Sequence, residues 1–231
     1  MISATRQILL AAVGGFALLT GAAFAARTYY LSQRGQLTDR YTKAIGLLGS
    51  DKLTERIGGV YALEHLMIES EREHDTVVEV LAAFVRDQTA FSTPDEGHQE
   101  AESGNEIDIW LVQPRTDVQA ALTVLGRRPR RPERSRLVDL SQADLTGADL
   151  ANLHLDDVWF WGAKLQSARL QGARLKGANF SGADLRDAKL THASMQGAWL
   201  YGAQLQEAVL MGAKLQGATL ASIFLDLDGV G

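Results

Sequence analysis

The sequence predicts an α+β multidomain chain: an N-terminal transmembrane helix, a small all-α helical-hairpin domain and a C-terminal rod built from repeats. Three observations predict it. Twenty uncharged residues stand between Arg6 and Arg27, apolar residues recur at helical spacing between about 35 and 126, and every fifth residue from Leu140 to Leu225 is large and apolar. The first is the length of a bilayer-crossing helix, the second the signature of helices packing on one face, and the third fits neither a free helix nor a free strand. A fixed short period instead specifies a repeat architecture.

The expected span covers residues 7–26, where only Gln7 and Thr20 are appreciably polar. Twenty helical residues extend about 30 Å, the thickness of a bilayer core. Arg27, Arg34, Arg40 and Lys43 follow the segment, against Arg6 before it. By the positive-inside rule this predicts a single-pass protein of the cell membrane, its bulk in the cytoplasm. The alternative is export after signal cleavage near Ala25, because Ala23-Phe24-Ala25 has the small-x-small pattern of a cleavage site. The expected divisions are an anchor and flank over 1–34 and a helical domain over 35–126, followed by a linker over 127–136 and the repeat over 137–228.

Within the helical domain Tyr41, Ala44, Ile45 and Leu48 share one face, and a second helix starts near Leu53 with Leu53, Ile57, Val60, Tyr61, Leu66 and Met67 as its stripe. Gly58-Gly59 inside that helix costs about 1 kcal/mol per glycine, which predicts close helix approach there. A third helix is predicted from Thr76, where Thr76 and Glu79 have capping-box spacing ahead of Val77, Val78, Leu81, Phe84 and Val85. Residues 89–114 are polar and acidic and predict a loop. A fourth helix follows Thr116 or Asp117, with Val118, Ala121, Leu122 and Leu125 inward and Gly126 as its stop.

Residues 127–136 hold six arginines and two prolines. Arg127, Arg128, Arg130 and Arg131 are candidate contacts to an anionic surface, at about 1 kcal/mol per residue near lipid head groups. The competing reading is a solvated linker paired with Asp139, Asp144 and Asp149.

The repeat itself reads Ala143-Asp144-Leu145-Thr146-Gly147-Ala148-Asp149-Leu150 and continues in that style to residue 226. It resembles the pentapeptide-repeat family, whose motif is Ala, then Asp or Asn, then Leu and two variable residues. The resemblance implies a right-handed quadrilateral β-helix of four pentapeptides per coil. Leu145, Leu165, Leu170, Leu175, Phe180, Leu185, Leu190 and Leu205 would then form part of its core, with the alanines also inward. Val138, Leu153, Val158 and Ile223 depart from the small inward residue. The stretches Gln36–Ala44, Gly49–Leu53 and Gly58–Glu64 are similar to membrane-anchored bacterial members that carry a helical domain before the repeat.

With four repeats per coil, residues twenty apart lie above one another. Asp144, Lys164 and Asp184 then alternate in sign up one column and Phe160 stacks on Phe180 inside. Trp159, Trp161, Trp199 and Tyr201 gather on one side as a candidate partner face. Exposed apolar patches of this kind mark interaction sites, although packing against the helices or the acidic loop is the competing reading.

No glycine-rich phosphate loop, nucleophile elbow or zinc-protease helix occurs, so no catalytic residue and no cofactor is expected. His154, Asp156 and Asp157 lack a second histidine in neighbouring repeats, and no metal site is expected. The absence of cysteine excludes disulfides. The expected function is a non-enzymatic scaffold for an unidentified protein partner. The alternative is mimicry of duplex DNA toward a type II topoisomerase such as DNA gyrase, as the resemblance suggests. Residues 137–228 carry ten acids against seven bases, a net of −3, which is little for a copy of a polymer with one charge per about 1.7 Å. Nucleic acid is not expected as a partner at a net chain charge of −5. A homodimer through the C-terminal end of the β-helix is a further expectation, because open coil edges invite pairing.

Overall fold

A computed structural model describes residues 24, 27, 36–90, 114–129 and 137–224. Four helices precede a four-sided β-helix. They are α1 (36–48), α2 (Leu53–Glu69), α3 (His74–Thr89) and α4 (Thr116–Arg127). The chain divides into two compact units inside α1, Met1–Lys43 and Ala44–Gly231.

The single-pass membrane placement is corrected. A span needs about 20 consecutive apolar residues, and among the described residues no helix is long and apolar enough to cross a membrane. The longest of α2 to α4 is α2, with 17 residues that include Glu55, Arg56, Glu64 and Glu69. Of the segment expected to span, only Phe24 belongs to the described residues, as does Arg27 beyond it. The acidic segment 91–113 and the end of the linker, 130–136, lie outside them too.

In α2 the buried set is Arg56, Gly59, Val60, Leu63, Leu66 and Met67, so the stripe is rotated from the expected one and leaves Leu53 and Tyr61 exposed. A Cβ on Gly59 would lie 2.9 Å from both Ala44 O and Leu48 N, so close approach requires glycine there. Gly58 meets nothing within 4 Å and has no such role. Helix α3 starts at His74 rather than Thr76, and its N-cap Glu73 makes no side-chain cap bond, so the expected capping box is not the start signal. His74 is buried instead, with Nδ1 against Asp75 Oδ1 and Nε2 against Pro129 O, both at 3.2 Å.

A buried ion pair ties α2 to α4. Asp117, fully buried, accepts from Arg56 Nε and from Arg115 Nη2. The Arg56 guanidinium also donates to Ser50 O at 2.8 Å and Asp51 O at 3.0 Å. Burial alone would raise the Asp117 carboxyl, but the Arg56 hydrogen bond and the charges of Arg115 and Arg56 hold it below its ordinary value.

The β-helix follows from two local rules. Each repeat turns the chain through one corner, with the alanine N–H returning to the preceding large residue, as in Ala148 N to Leu145 O at 3.0 Å. The second corner residue has positive φ in all seventeen corners from Gln142 to Ser222, nine of them glycine. That is the requirement of a type II turn. Between corners one residue per repeat bridges in parallel to the residue twenty positions on, from Asp139↔Trp159 to Gln204↔Phe224. The apolar series points inward, and Leu140 to Met195 are all fully buried along with alanines 163 to 203. Phe160 and Phe180 stack with centroids 5.0 Å apart and planes 9° apart. At about 4.8 Å per coil the rod is roughly 20 Å long.

Asp117→Asn should cost about 3 kcal/mol or more, because it leaves the Arg56 charge buried without its partner. Since folding depresses this carboxyl, its stabilisation is complete above the ordinary carboxylate range and is lost as pH falls through the lower folded value. Denaturant melts of the wild type should therefore weaken on acidification below about pH 4, and those of Asp117→Asn should weaken less.

Candidate interaction face

The side of the rod that carries the tryptophans is built by the ladder. Asp139, Trp159, Asn179, Trp199 and Thr219 bridge in sequence, so they form one outward column. The corner position two residues later repeats the rise as Ser141, Trp161, Ser181, Tyr201 and Ala221. Alternation in the short straight segments turns these side chains out because Phe160, Phe180 and Leu200 turn in. Trp159, Trp161, Trp199 and Tyr201 are 45, 51, 59 and 59% exposed.

Small polar residues occupy the middle coil of this face. The Ser181 N–H donates to Asn179 Oδ1 at 2.9 Å, which fixes the side-chain amide between the two tryptophan coils. Gly162, Gly182 and Gly202 follow Trp161, Ser181 and Tyr201, so the corner beside the rings carries no side chain on three successive coils.

Above Asp139 neither column contains a charge, and Asp139 itself pairs with Arg86 at 3.1 Å. The neighbouring column is neutralised pairwise. Asp144 meets Lys164 at 3.5 Å, and Asp184 meets Arg186 at 2.6 Å and accepts from Gln166. Asp144, Lys164 and Asp184 thus rise in one bridged column of alternating sign, and Asp184 also pairs within its own corner. Burial would raise the Asp184 carboxyl, yet the Arg186 side-chain and backbone hydrogen bonds hold it below the ordinary value. Asp157 differs. It is exposed, lies two residues before Trp159 with its carboxylate over Gly177, and has no ion-pair partner among the described residues.

The base of the rod is closed by the helices, an arrangement absent from the sequence reading. In every later coil the bridging residue donates its N–H to the coil below, as Trp159 N does to Val138 O. The first coil has no coil below, and α3, α4 and the residue after α4 replace it on each of the four sides. Arg86 donates to Asp139 O, and Thr89 O accepts from Asp144 N at 3.4 Å. The Gln119 amide both donates to Asp149 O at 2.7 Å and accepts from Asp149 N at 3.0 Å, as a strand would. Gly126 O accepts from His154 N at 3.0 Å, and Arg128 donates to His154 O at 3.3 Å.

Gly126 is therefore no helix stop, since α4 runs on to Arg127. A Cβ there would lie 2.7 Å from Leu153, one of the four departures from the small inward residue. The oversized Leu153 is thus matched by a missing side chain on the helix. Of the candidate anionic contacts, Arg127 is exposed, Arg128 is engaged as above, and Arg130 and Arg131 lie outside the described residues. Among the described residues Asp139, Asp144 and Asp149 meet Arg86, Lys164 and Arg169, while most of the linker arginines expected to pair with them lie outside the described residues. Among the described residues no cluster of three or more His, Cys, Asp or Glu is placed to hold a metal. Asp156 instead meets Arg174 at 3.2 Å.

The far end of the rod is apolar. Met195, Leu200, Leu205, Leu210, Leu215, Leu220 and Ile223 line a cavity of about 130 Å³, and Leu210, Leu215 and Leu220 are partly exposed.

A four-sided β-helix with one alanine and one large apolar residue per five-residue side defines a class of repeat protein. The family model for pentapeptide repeats matches residues 136–172, 168–206 and 188–223. A pentapeptide repeat protein of the cyanobacterium Cyanothece 51142 is 31% identical, over 41% of this chain and 68% of that one, with a TM-score of 0.36. One from Nostoc PCC 7120 is 33% identical, over 38% of this chain and 84% of that one, with a TM-score of 0.33. Another, from the Arabidopsis thaliana thylakoid lumen, is 30% identical over 39% and 60%, with a TM-score of 0.29. No curated protein matches the chain. The chain belongs to the pentapeptide-repeat family, and its β-helix is the right-handed quadrilateral form.

Gly126→Ala should destabilise the chain by about 1–3 kcal/mol through overpacking against Leu153. Adding Leu153→Ala should recover part of that loss, and a double-mutant cycle of thermal melts measures the coupling.

Proposed function

We propose that the chain is a non-enzymatic interaction protein whose rod presents Trp159, Trp161, Trp199 and Tyr201 to a protein partner. The observation that carries this reading is the pair of columns, uncharged above Asp139, with four large rings about half exposed on a rigid ladder. A soluble surface gains nothing from holding such rings in water, and tryptophan and tyrosine supply much of the energy at protein interfaces. The helices serve this role by closing the base of the rod and so fixing its first coil. Affinity capture with wild type and with a variant carrying alanine at all four positions tests the reading. Loss of a specific partner, with the circular dichroism unchanged, is expected. The same partner on both proteins would refute the role of that face.

Mimicry of duplex DNA toward a topoisomerase is disfavoured by the charge arrangement. Asp144, Asp149, Asp156 and Asp184 each have a basic partner within 3.5 Å, so the carboxylates do not present a continuous negative ridge.

Pairing of two copies through the apolar end is a second reading, favoured by the cavity that Leu210, Leu215 and Leu220 leave partly open. Light scattering should then give twice the chain mass, reduced to the single mass by Leu215→Glu. A single mass for the wild type at every concentration removes this reading.

A further inference from the structure

The face has a spacing of its own, and that spacing selects an occupant. Trp159 and Trp199 lie in one bridged column with Asn179 between them, so their backbones stand two coils apart. Two coil spacings amount to about 9.6 Å. One turn of a polyproline II helix, three residues at 3.1 Å each, rises about 9.3 Å. A polyproline II segment laid along the rod axis therefore brings residues i and i+3 over successive tryptophans with almost no mismatch. A β-strand, at about 3.3 Å per residue, also advances nearly that far in three residues, but its alternating side chains would put residue i+3 on the opposite face.

The chemistry of the face agrees with that occupant. A polyproline II backbone forms no internal hydrogen bonds, so its carbonyls seek donors. Asn179 is held by the Ser181 N–H through its oxygen, which leaves its amide NH₂ as a donor between the two rings. The glycine corner at 162, 182 and 202 gives an extended chain room to lie close to the backbone. The columns are uncharged above Asp139, which suits a proline-rich segment, while the exposed Asp157 beside Trp159 offers a carboxylate to a basic residue at one end.

Resting on the reading of this face as a protein-binding surface, we propose that its partner docks as an extended proline-rich segment along the rod axis. Prolines three residues apart cover Trp159 and Trp199, and a basic side chain at the end over Trp159 meets Asp157. Aromatic grooves that take proline-rich segments exploit the same preformed conformation, which lowers the ordering entropy of binding.

The test uses the full chain and the probe peptide acetyl-Arg-Arg-Ala-Pro-Ala-Ala-Pro-Ala-Ala-Pro-amide, followed by tryptophan fluorescence and calorimetry. Saturable binding is expected, at least tenfold weaker when the prolines are moved to every fourth residue. Trp199→Ala should weaken it at least tenfold, and the fold of that variant is checked by circular dichroism because the side chain is exposed. Asp157→Asn should weaken it several-fold and flatten its salt dependence. Equal binding of the re-spaced peptide, no binding of the probe, or saturation by a chito-oligosaccharide instead would each overturn the proposal. If the four-alanine variant loses its protein partner while the wild type ignores the peptide, the occupant is wrong and the interaction face stands. If the partner is also retained by that variant, both readings fall.

Discussion

Everything in the rod depends on the parallel ladder that joins residue i to residue i+20. Its register holds only if each side takes five residues, and each side takes five residues only if the chain turns at every corner. The corners achieve this with a left-handed second residue, including eight positions where the residue is not glycine. A non-glycine residue in that conformation is disfavoured, so each such corner is held against a local preference. The opposing contribution is repetitive. Each interior repeat adds hydrogen bonds to the coils above and below and buries one large apolar side chain and a second, mostly alanine, beside it. No side is stable alone, and the strain is tolerable because neighbouring coils fix it, as in other solenoids.

A ladder of this kind has two ends, and the chain treats them differently. At the base the groups that would face a preceding coil are met by two helix-end carbonyls, a glutamine amide and two arginines. Gln119 is the most informative of these, because one side-chain amide reproduces both hydrogen bonds of a strand neighbour. The helical region thereby does the work of a terminal capping repeat. Within that region the Arg56–Asp117 pair couples α2 to the helix that carries Gln119 and Gly126. At the other end the core leucines of the last described coil are partly open. The surfaces left uncovered on the described rod are thus its sides and its far end.

The side face owes its character to the same register. Because columns are vertical, a tryptophan at every second coil produces a gap of fixed size rather than a continuous apolar stripe. On one side of it the charged column is satisfied in pairs, with Asp144 on Lys164 and Asp184 on Arg186, while on the other Asp157 has no ion-pair partner among the described residues. Such pairs contribute little to stability at exposed positions. Their effect is to keep that side of the face from presenting a single sign of charge.

The sequence by itself determined the rod. The apolar period of five fixes which side chains go inward, and twenty-residue spacing fixes which outward residues are neighbours, because both are local consequences of one repeating turn. The glycines at 147, 162, 172, 177, 182, 197, 202, 212 and 217 stand in one register of the sequence, and each is a corner with positive φ. Helices α2 and α4 were legible from periodicity, whereas the burial of Arg56 was not, since its partner lies 61 residues away. The closure of the base was decided by tertiary structure alone. Arg86, Thr89 and Gln119 are ordinary helix residues whose roles exist only once the rod meets the helices, and Gly126 reads as a terminator until Leu153 is placed against it. A repeat propagates its own pattern, but where it begins depends on what covers its first open edge.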